Sequence, residues 1–509
     1  MEVPGASSRR YVIGFWIAAT AIGLTVRVLL VPLGPKYGYD ADHDDFVRWG
    51  IQATDEGLTT LYDHPPARRD MRSWINGQWR TRQRDYDRLC NYPPLSTYLL
   101  YLSGGVFKSV SEDRLINTTT ARFIFEIWGL MADFLLAWGC ASLVAKFRSN
   151  QAARWTYLVV LLAPPFWWDS SIWGQMDSVV LAPAVWMVRF ISDRRWVLAG
   201  IFYGLTASIK PQAVLFLPLW ALVLVRTRPI YKPMISLAIA GTVLFVIALP
   251  FTFASGLTWW RASYVANLFE AYSGQTTLMA MNIWYVDLLL TDSATSRALW
   301  CGTPKDTWGN LFLLVGLGVP FVWMAWRWRR DSRAYVLYAG LSLLAFVMLP
   351  TRVHDRYLIL PLPFLIVAAM IWVRFWPGVV LLIVVALFQI TWPVWRQVQP
   401  GTWPYIKRNT IHRYEYLVDQ LPPEKRSTVL SETEFVNKRR ERYLALRHKT
   451  IAYEWLFTCL ALAGALGAAV AFCKTTPEIT WHEPVEHANQ SRQARRTRQK
   501  QEKKKNKKR

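Results

Sequence analysis

Charge is scarce in this sequence. Asp, Glu, Lys and Arg make up 18% of its 509 residues, where a soluble globular chain carries about 25%. A soluble chain of this length would also divide into two or more cores. The shortfall, set beside 53% hydrophobic residues and 28 tryptophans, points to lipid as the main solvent. Cysteine is scarce too: Cys90, Cys140, Cys301, Cys459 and Cys473 are scattered without paired spacing, which excludes a disulfide framework and a thiolate zinc site. No internal repeat is visible, so the repeated halves of many transporters are not supported. The apolar composition excludes a disordered chain and a collagenous fibre. A net charge of +24 suggests nucleic acid, but the basic residues lie in short runs between apolar segments and in a tail ending KKKNKKR. That placement encodes membrane topology, and no nucleic-acid partner is expected.

The fold expected is all-α and polytopic, a bundle of about 11–13 transmembrane helices with a large first external loop. Residues 1–10 end in Arg9-Arg10 and are read as cytoplasmic; 11–33 form the first span, too long for a signal peptide; 34–117 form an external loop with juxtamembrane helices. The bundle proper runs over 118–395. Lys146/Arg148/Arg154, Arg194/Arg195, Arg226/Arg228/Lys232 and the run 327–333 mark its cytoplasmic turns. A polar segment, 396–450, follows on the external side, then a last span at 451–473 and a basic, disordered cytoplasmic tail at 474–509. The tail reads as a solvated stretch or as a contact for anionic lipid.

Ionisable residues beside external helix ends are the candidates for chemistry, because a charge near lipid is costly unless it is used. The first group follows the first span, where Asp40, Asp42, Asp44 and Asp45 crowd around His43. Crowded carboxylates raise one another's pKa and leave one able to take a proton, as a general base for an acceptor hydroxyl requires. The same residues also read as a solvated acidic cap on a helix over 46–56, or as hard oxygen ligands for a divalent cation through Asp42-His43-Asp44. The second group is Asn91-Tyr92-Pro93-Pro94-Leu95, an extended turn fixed by two prolines. The third is Trp173-Gly174-Gln175-Met176-Asp177-Ser178 together with Lys210-Pro211-Gln212, in which Asp and Lys pair, Lys meets phosphate, or Trp and Lys simply anchor helices at the interface. The fourth is Thr351-Arg352-Val353-His354-Asp355-Arg356-Tyr357, whose arginines and histidine suit a phosphate anion. The loop over 255–287 adds Trp259, Trp260, Arg261, Tyr272, Asn282 and Trp284, groups that pack on sugar rings or form an interfacial belt.

In this order the stretches resemble the C-type glycosyltransferases, membrane enzymes that take a sugar from a polyprenyl phosphate on the outer or lumenal face. The resemblance rests on Asp42 with Phe46 and Trp49, Tyr92-Pro93-Pro94, the Trp173 to Ser178 motif, Lys210-Pro211-Gln212 and His354-Asp355-Arg356-Tyr357. It is closest to bacterial mannosyltransferase-like members and is similar to the glucosyltransferases that extend the dolichol-linked N-glycan precursor. Asn91 stands where many relatives have Asp, so it is given no catalytic role, and Asp355 replaces the usual Glu.

What the resemblance implies is an inverting transfer of a hexose, mannose or glucose, to a lipid-linked glycan, glycolipid or protein. Asp42 would be the base, with Asp44 and Asp45 as the neighbouring catalytic candidates. Arg352, His354, Arg356 and Lys210 would hold the donor phosphate. Tyr92, Gln175 and Asp177, with Arg261, Asn282 and Trp284 from the later loop, are the candidate substrate contacts. No cofactor is required in this reading and no metal is assigned. A flippase or transporter of lipid-linked glycans shares the spans and the anion pocket but would carry its charges mid-span; a lipid-headgroup phosphotransferase would need metal ligands on the cytoplasmic side. The membrane expected is a bacterial inner membrane, with the endoplasmic reticulum second because Asn117-Thr118-Thr119 forms a glycosylation sequon.

Overall fold

The apolar runs form helices throughout a computed structural model that describes residues 6–65, 71–75, 78–82, 89–112, 114–270, 274–291, 295–396, 411, 414, 418 and 431–477. Residues 1–5, most of the segment between 397 and 430, and the tail beyond 477 lie outside the described residues. Helix α1 (Ala6–Leu30) leads through a 3₁₀ turn, Val31–Leu33, into the short α2 (Gly34–Tyr37) and then α3 (Asp40–Asp55). Pro32 and Pro35 take the opening positions of these short elements, where a missing N–H costs nothing. The first loop then holds an antiparallel hairpin of β1 (Met71–Ile75) and β2 (Gln78–Arg82), with Trp74 opposite Trp79. Pro94 opens α4 (Pro94–Val110), which packs along α3. Their backbones touch: a Cβ on Gly104 would run into the backbone of Gly50.

The bundle continues through α5 (Thr119–Phe147), α6 (Asn150–Leu162), α7 (Pro164–Trp168), α8 (Asp177–Ser192), α9 (Trp196–Ile209), α10 (Leu217–Arg226) and α11 (Tyr231–Ser255). After α12 (Thr258–Trp260) and α13 (Ile283–Thr291), a two-residue ladder of β3 (Leu299–Trp300) with β4 (Thr303–Pro304) leads to α14 (Lys305–Arg327), α15 (Arg333–Met348), α16 (Leu362–Ile371) and α17 (Trp376–Arg396). Among the described residues six helices are long and apolar enough to cross a membrane: Val12–Tyr37, Thr119–Phe147, Tyr231–Ser255, Lys305–Arg327, Val373–Trp392 and Thr450–Cys473. Shorter apolar helices fill the interior. Residues Leu362 to Met370 of α16 are all buried, as expected of a helix that is apolar on every side. The protein is thus a predominantly helical, multi-pass membrane bundle.

The last helix, α18 (Glu432–Cys473), is continuous over 42 residues and starts at a capping box between Ser431 and Glu434. The expected boundary at 450/451 falls inside it. Its apolar half runs antiparallel to α17: Phe457 stacks on Phe388 at 3.5 Å, and Gly464 and Gly467 close on Gly378, the small-residue contact that lets membrane helices approach. The basic turns are tied together at one end of the bundle. Lys146 pairs with Asp193 at 2.7 Å, Arg226 donates to the carbonyls of Trp328 and Asp331, and Arg333 lies over Trp372.

Candidate active site

The first turn of α3 carries Asp42 to the opposite end of the bundle. Its Oδ2 accepts from Trp173 Nε1 at 2.9 Å, from the side-chain amide of Gln175, and from Arg356 Nη1 at 3.3 Å. Its Oδ1 has no partner among the described residues, and the side chain is 21% exposed. The acidic stretch is therefore not a solvated cap: Asp42 is anchored by one oxygen and open at the other.

The anchor is shaped by a π-helical turn, Asp169–Trp173, a widened turn of the kind often found at functional sites. It ends at Gly174, whose φ of +82° is left-handed, and the N–H groups of Gly174 and Gln175 both donate to the Asp169 carbonyl at 2.9 Å. A Cβ on Gly174 would lie 2.6 Å from Glu126 Oε1, so glycine is required twice over. The reversal brings the side chains of Trp173 and Gln175 to one carboxylate oxygen. Tyr92 donates to Gln175 Oε1 at 3.1 Å and so turns the amide NH₂ toward Asp42. Burial pushes the Tyr92 phenol well above its ordinary pKa, keeping it a donor.

Arg356 links two carboxylates. Besides Asp42 it places Nε 3.6 Å from Asp177 Oδ2, and its guanidinium lies over Trp173. Burial opposes its charge, but Asp42 and Asp177 outweigh burial and raise its pKa further. Asp177 also takes Lys210 Nζ at 2.5 Å, and Lys210 sits over the Tyr92 ring at 5.5 Å. Asp42, Arg356, Asp177 and Lys210 thus alternate in sign. Gln212 donates to the Tyr357 hydroxyl at 2.7 Å. The 351–357 loop is held by residues 276–278: Arg352 N to Thr276 O, Leu278 N to Val353 O and Asp355 N to Leu278 O, at 2.9–3.0 Å. Half-buried on this rim, His354 stands 3.5 Å from Asp355 Oδ1 and Arg352 stands 3.5 Å from Asp306 Oδ2.

The structure places Asp42, Tyr92, Gln175, Asp177, Lys210 and Arg356 in one constellation, with Arg352 and His354 on its edge. The other candidates lie elsewhere. Asp44 and Asp45 are buried in α3; Asp45 adds to the upward push that burial gives the Cys90 thiol, to about 12. His43 turns to Phe125 and to Glu126, 4.0 Å away, and burial, then the Arg122 charge, hold its imidazole well below the ordinary pKa. Asn282 donates to the carbonyls of Val347 and Pro350 and accepts from Trp284 N and Tyr285 N. The Trp284 indole donates to Leu349 O at 2.7 Å. Both lock the turn after α15. Arg261 is exposed on the segment Arg261–Glu270, and no hydrogen bond joins it to the constellation among the described residues. Asn91 meets Asn267 instead.

Sequence reasoning missed the charges inside the spans. Arg27 Nε donates to Asp133 Oδ2 at 2.7 Å, and Ser170 donates to the same oxygen. Arg122 and Glu126 pair at 3.0 Å, and Asp169 has both carboxylate oxygens buried without a hydrogen-bond partner. The expectation that charges stand at helix ends rather than mid-span is therefore corrected. Their signal was visible as ionisable residues within apolar runs. Among the described residues no three of His, Cys, Asp and Glu converge as a metal site would need.

Bundle and constellation together define a polytopic membrane protein with a polar reaction site at one end of its helices. Residues 91–350, just over half of the chain, match the model of glycosyltransferase family 87, and the chain belongs to that family: it is a glycosyltransferase. The match includes Tyr92, Gln175, Asp177 and Lys210 but not Asp42 or Arg356. No curated protein matches. Among solved structures, the chain is similar to ArnT from Cupriavidus metallidurans bound to undecaprenyl phosphate, with 14% identity, a TM-score of 0.40, and coverage of 90% of this chain and 76% of that one. The same protein in its apo state gives 15%, 0.39, 91% and 76%.

Proposed function

We propose that the protein moves a hexose, mannose or glucose, from a polyprenyl phosphate to a hydroxyl of a lipid-linked glycan, glycolipid or protein, with inversion at the anomeric carbon. The observation that carries this reading is Asp42, anchored through Oδ2 and open at Oδ1, beside an arginine. The acceptor oxygen attacks the anomeric carbon while Oδ1 takes its proton. The bond from that carbon to the phosphate oxygen breaks, and its electron pair leaves on the polyprenyl phosphate. One displacement with one base inverts the sugar.

The leaving phosphate meets the 352–356 loop. Arg356 offers a planar fork for phosphate oxygens, with His354 and Arg352 on the rim, and these cations stabilise the charge that develops there. As phosphate draws the guanidinium, the 3.3 Å contact to Asp42 loosens and the base gains freedom at the moment the donor is seated. Lys210 serves this reading by fixing Asp177, and through it Arg356. This reading assigns no step to a metal: the acceptor's proton goes to Asp42 Oδ1, and the charge on the phosphate is met by Arg356, His354 and Arg352.

The basic turns gather at the bundle end away from Asp42, and positive residues favour the cytoplasm, so the reaction face is external. The membrane in this reading is a bacterial inner membrane; the burial of Asn117 speaks against a glycan at the sequon and so supports it over the endoplasmic reticulum. The test is transfer of radiolabelled mannose or glucose from the corresponding polyprenyl phosphates by the purified protein in detergent, with the configuration of the product read by NMR. Inverted product, and weaker donor than acceptor binding by Arg356→Ala, support the reading. A retained configuration overturns the single displacement; bound donor without transfer to any glycolipid fraction supports a flippase.

A further inference from the structure

Arg122 is fully buried at the start of α5 and spreads its fork over four partners beside the reaction site. Its Nε and Nη2 donate to Asn117 Oδ1 at 2.8 and 2.7 Å. Its Nη1 donates to Glu126 Oε1 at 3.0 Å and to the backbone carbonyls of Ile172 and Trp173, each at 3.2 Å. Those carbonyls close the turn from which Trp173 and Gln175 reach Asp42. The segment leading to Asp42 lies on the same guanidinium: a Cβ on Gly38 would overlap the Ile172 carbonyl oxygen and stand 2.8 Å from Arg122 Nη1, and one on Gly34 would stand 3.0 Å from Arg122 Cδ. Asn117 holds a left-handed φ of +62° to offer its amide oxygen, a conformation that costs free energy and that Asn tolerates better than most residues.

We infer that Arg122 is a positioning residue for the base: it clamps the Ile172–Trp173 backbone against the Gly34–Gly38 segment and so sets the register between Asp42 and the two side chains that anchor it. The inference rests on Asp42 acting in transfer. The fork geometry matters more than the charge. Five contacts from one planar guanidinium, three of them sharing the two hydrogens of Nη1, reach Asn117, Glu126 and two carbonyls at once, and an ammonium cannot reproduce that pattern.

The test uses the full chain and polyprenyl-phosphate mannose and glucose, with Arg122→Lys and with Arg122→Gln combined with Glu126→Gln, the second change avoiding an orphaned buried carboxylate. Hydrogen exchange at residues 174 and 175 is followed in parallel. Expected are a fall in kcat on the order of 10²-fold, as misplaced groups typically give, a donor KM held within about threefold, no rescue by lysine, and faster exchange at both amides. Adding Gln175→Ala should cost little more, because both changes act through one anchor. Transfer at the normal rate by Arg122→Lys, or fully additive losses, overturns the inference. Should the unaltered protein transfer from neither donor, the proposed function fails and the exchange data alone decide the clamp: faster exchange at 174 and 175 supports it, and unchanged exchange overturns it.

Discussion

Lys210→Met separates two roles for a lysine that sequence reasoning assigned to phosphate. In the structure Lys210 and Asp177 are both almost fully buried and 2.5 Å apart. Removing one member of such a pair leaves an uncompensated buried charge and costs about 3–5 kcal/mol. Arg356, with Nε 3.6 Å from the other Asp177 oxygen, takes up part of the orphaned charge, which favours the lower end, about 3 kcal/mol. Melting points move by about 2–4 °C per kcal/mol in chains of 150–250 residues and by less in longer ones. At about 1–2 °C per kcal/mol, Lys210→Met should melt about 3–6 °C lower. The assay is intrinsic fluorescence against temperature in one detergent at one scan rate, since unfolding of this kind depends on rate. Lys210→Met combined with Asp177→Leu should recover most of the loss, because an apolar pair of similar volume often replaces a buried ion pair at no cost. An unchanged melting point in the single variant, or a double variant as unstable as the single, would refute the reasoning and return Lys210 to direct phosphate binding.

Three further outcomes follow from particular contacts. Tyr92→Phe removes the bond that orients Gln175 and should lower kcat by about 2- to 10-fold, the kinetic equivalent of a hydrogen bond worth about 0.5–1.5 kcal/mol; an unaltered rate shows that Gln175 is oriented without it. Burial pushes the Cys90 thiol up to about 12, so the reactive thiolate is scarce at pH 8. N-ethylmaleimide should then label the exposed Cys301 and leave Cys90 untouched until the protein is unfolded, as peptide mass spectrometry would read. Asn117 is buried with its amide oxygen on Arg122, so the protein made in a eukaryotic host should carry no glycan there; a mass shift at Asn117 in folded protein would contradict its placement.

Much of the fold was legible because lipid imposes a simple rule: apolar runs become helices, and basic turns mark one face. The interior helices were visible only as short runs, since Arg333–Met348 and Leu362–Ile371 are covered by protein rather than by lipid. The hairpin over 71–82 was missed although the Asn-Gly pair at 76–77 is a strong hairpin signal. In the candidate site, Asp42, Gln175, Asp177 and Arg356 were singled out from three separate stretches, because charges at external helix ends are expensive to keep unused. Their pairing was not legible: the join of Asp42 to Arg356 spans 314 residues, and no spacing rule reaches that far. Arg122 was missed although Glu126 stands one helical turn on, because the Ile172 and Trp173 carbonyls that tie it to the site lie about 50 residues away and leave no pattern in side chains. Asn282 and Trp284, whose chemistry suits a sugar, proved to hold a turn.

The most direct measurement is transfer from polyprenyl-phosphate mannose and glucose by the unaltered protein, by Asp42→Asn, and by the unaltered protein in EDTA. A lost general base typically costs on the order of 10²-fold or more. The account requires transfer that survives EDTA and falls by about that factor in Asp42→Asn, with donor binding retained. Near-normal transfer by Asp42→Asn would take the base away from the residue around which Trp173, Gln175 and Arg356 are assembled.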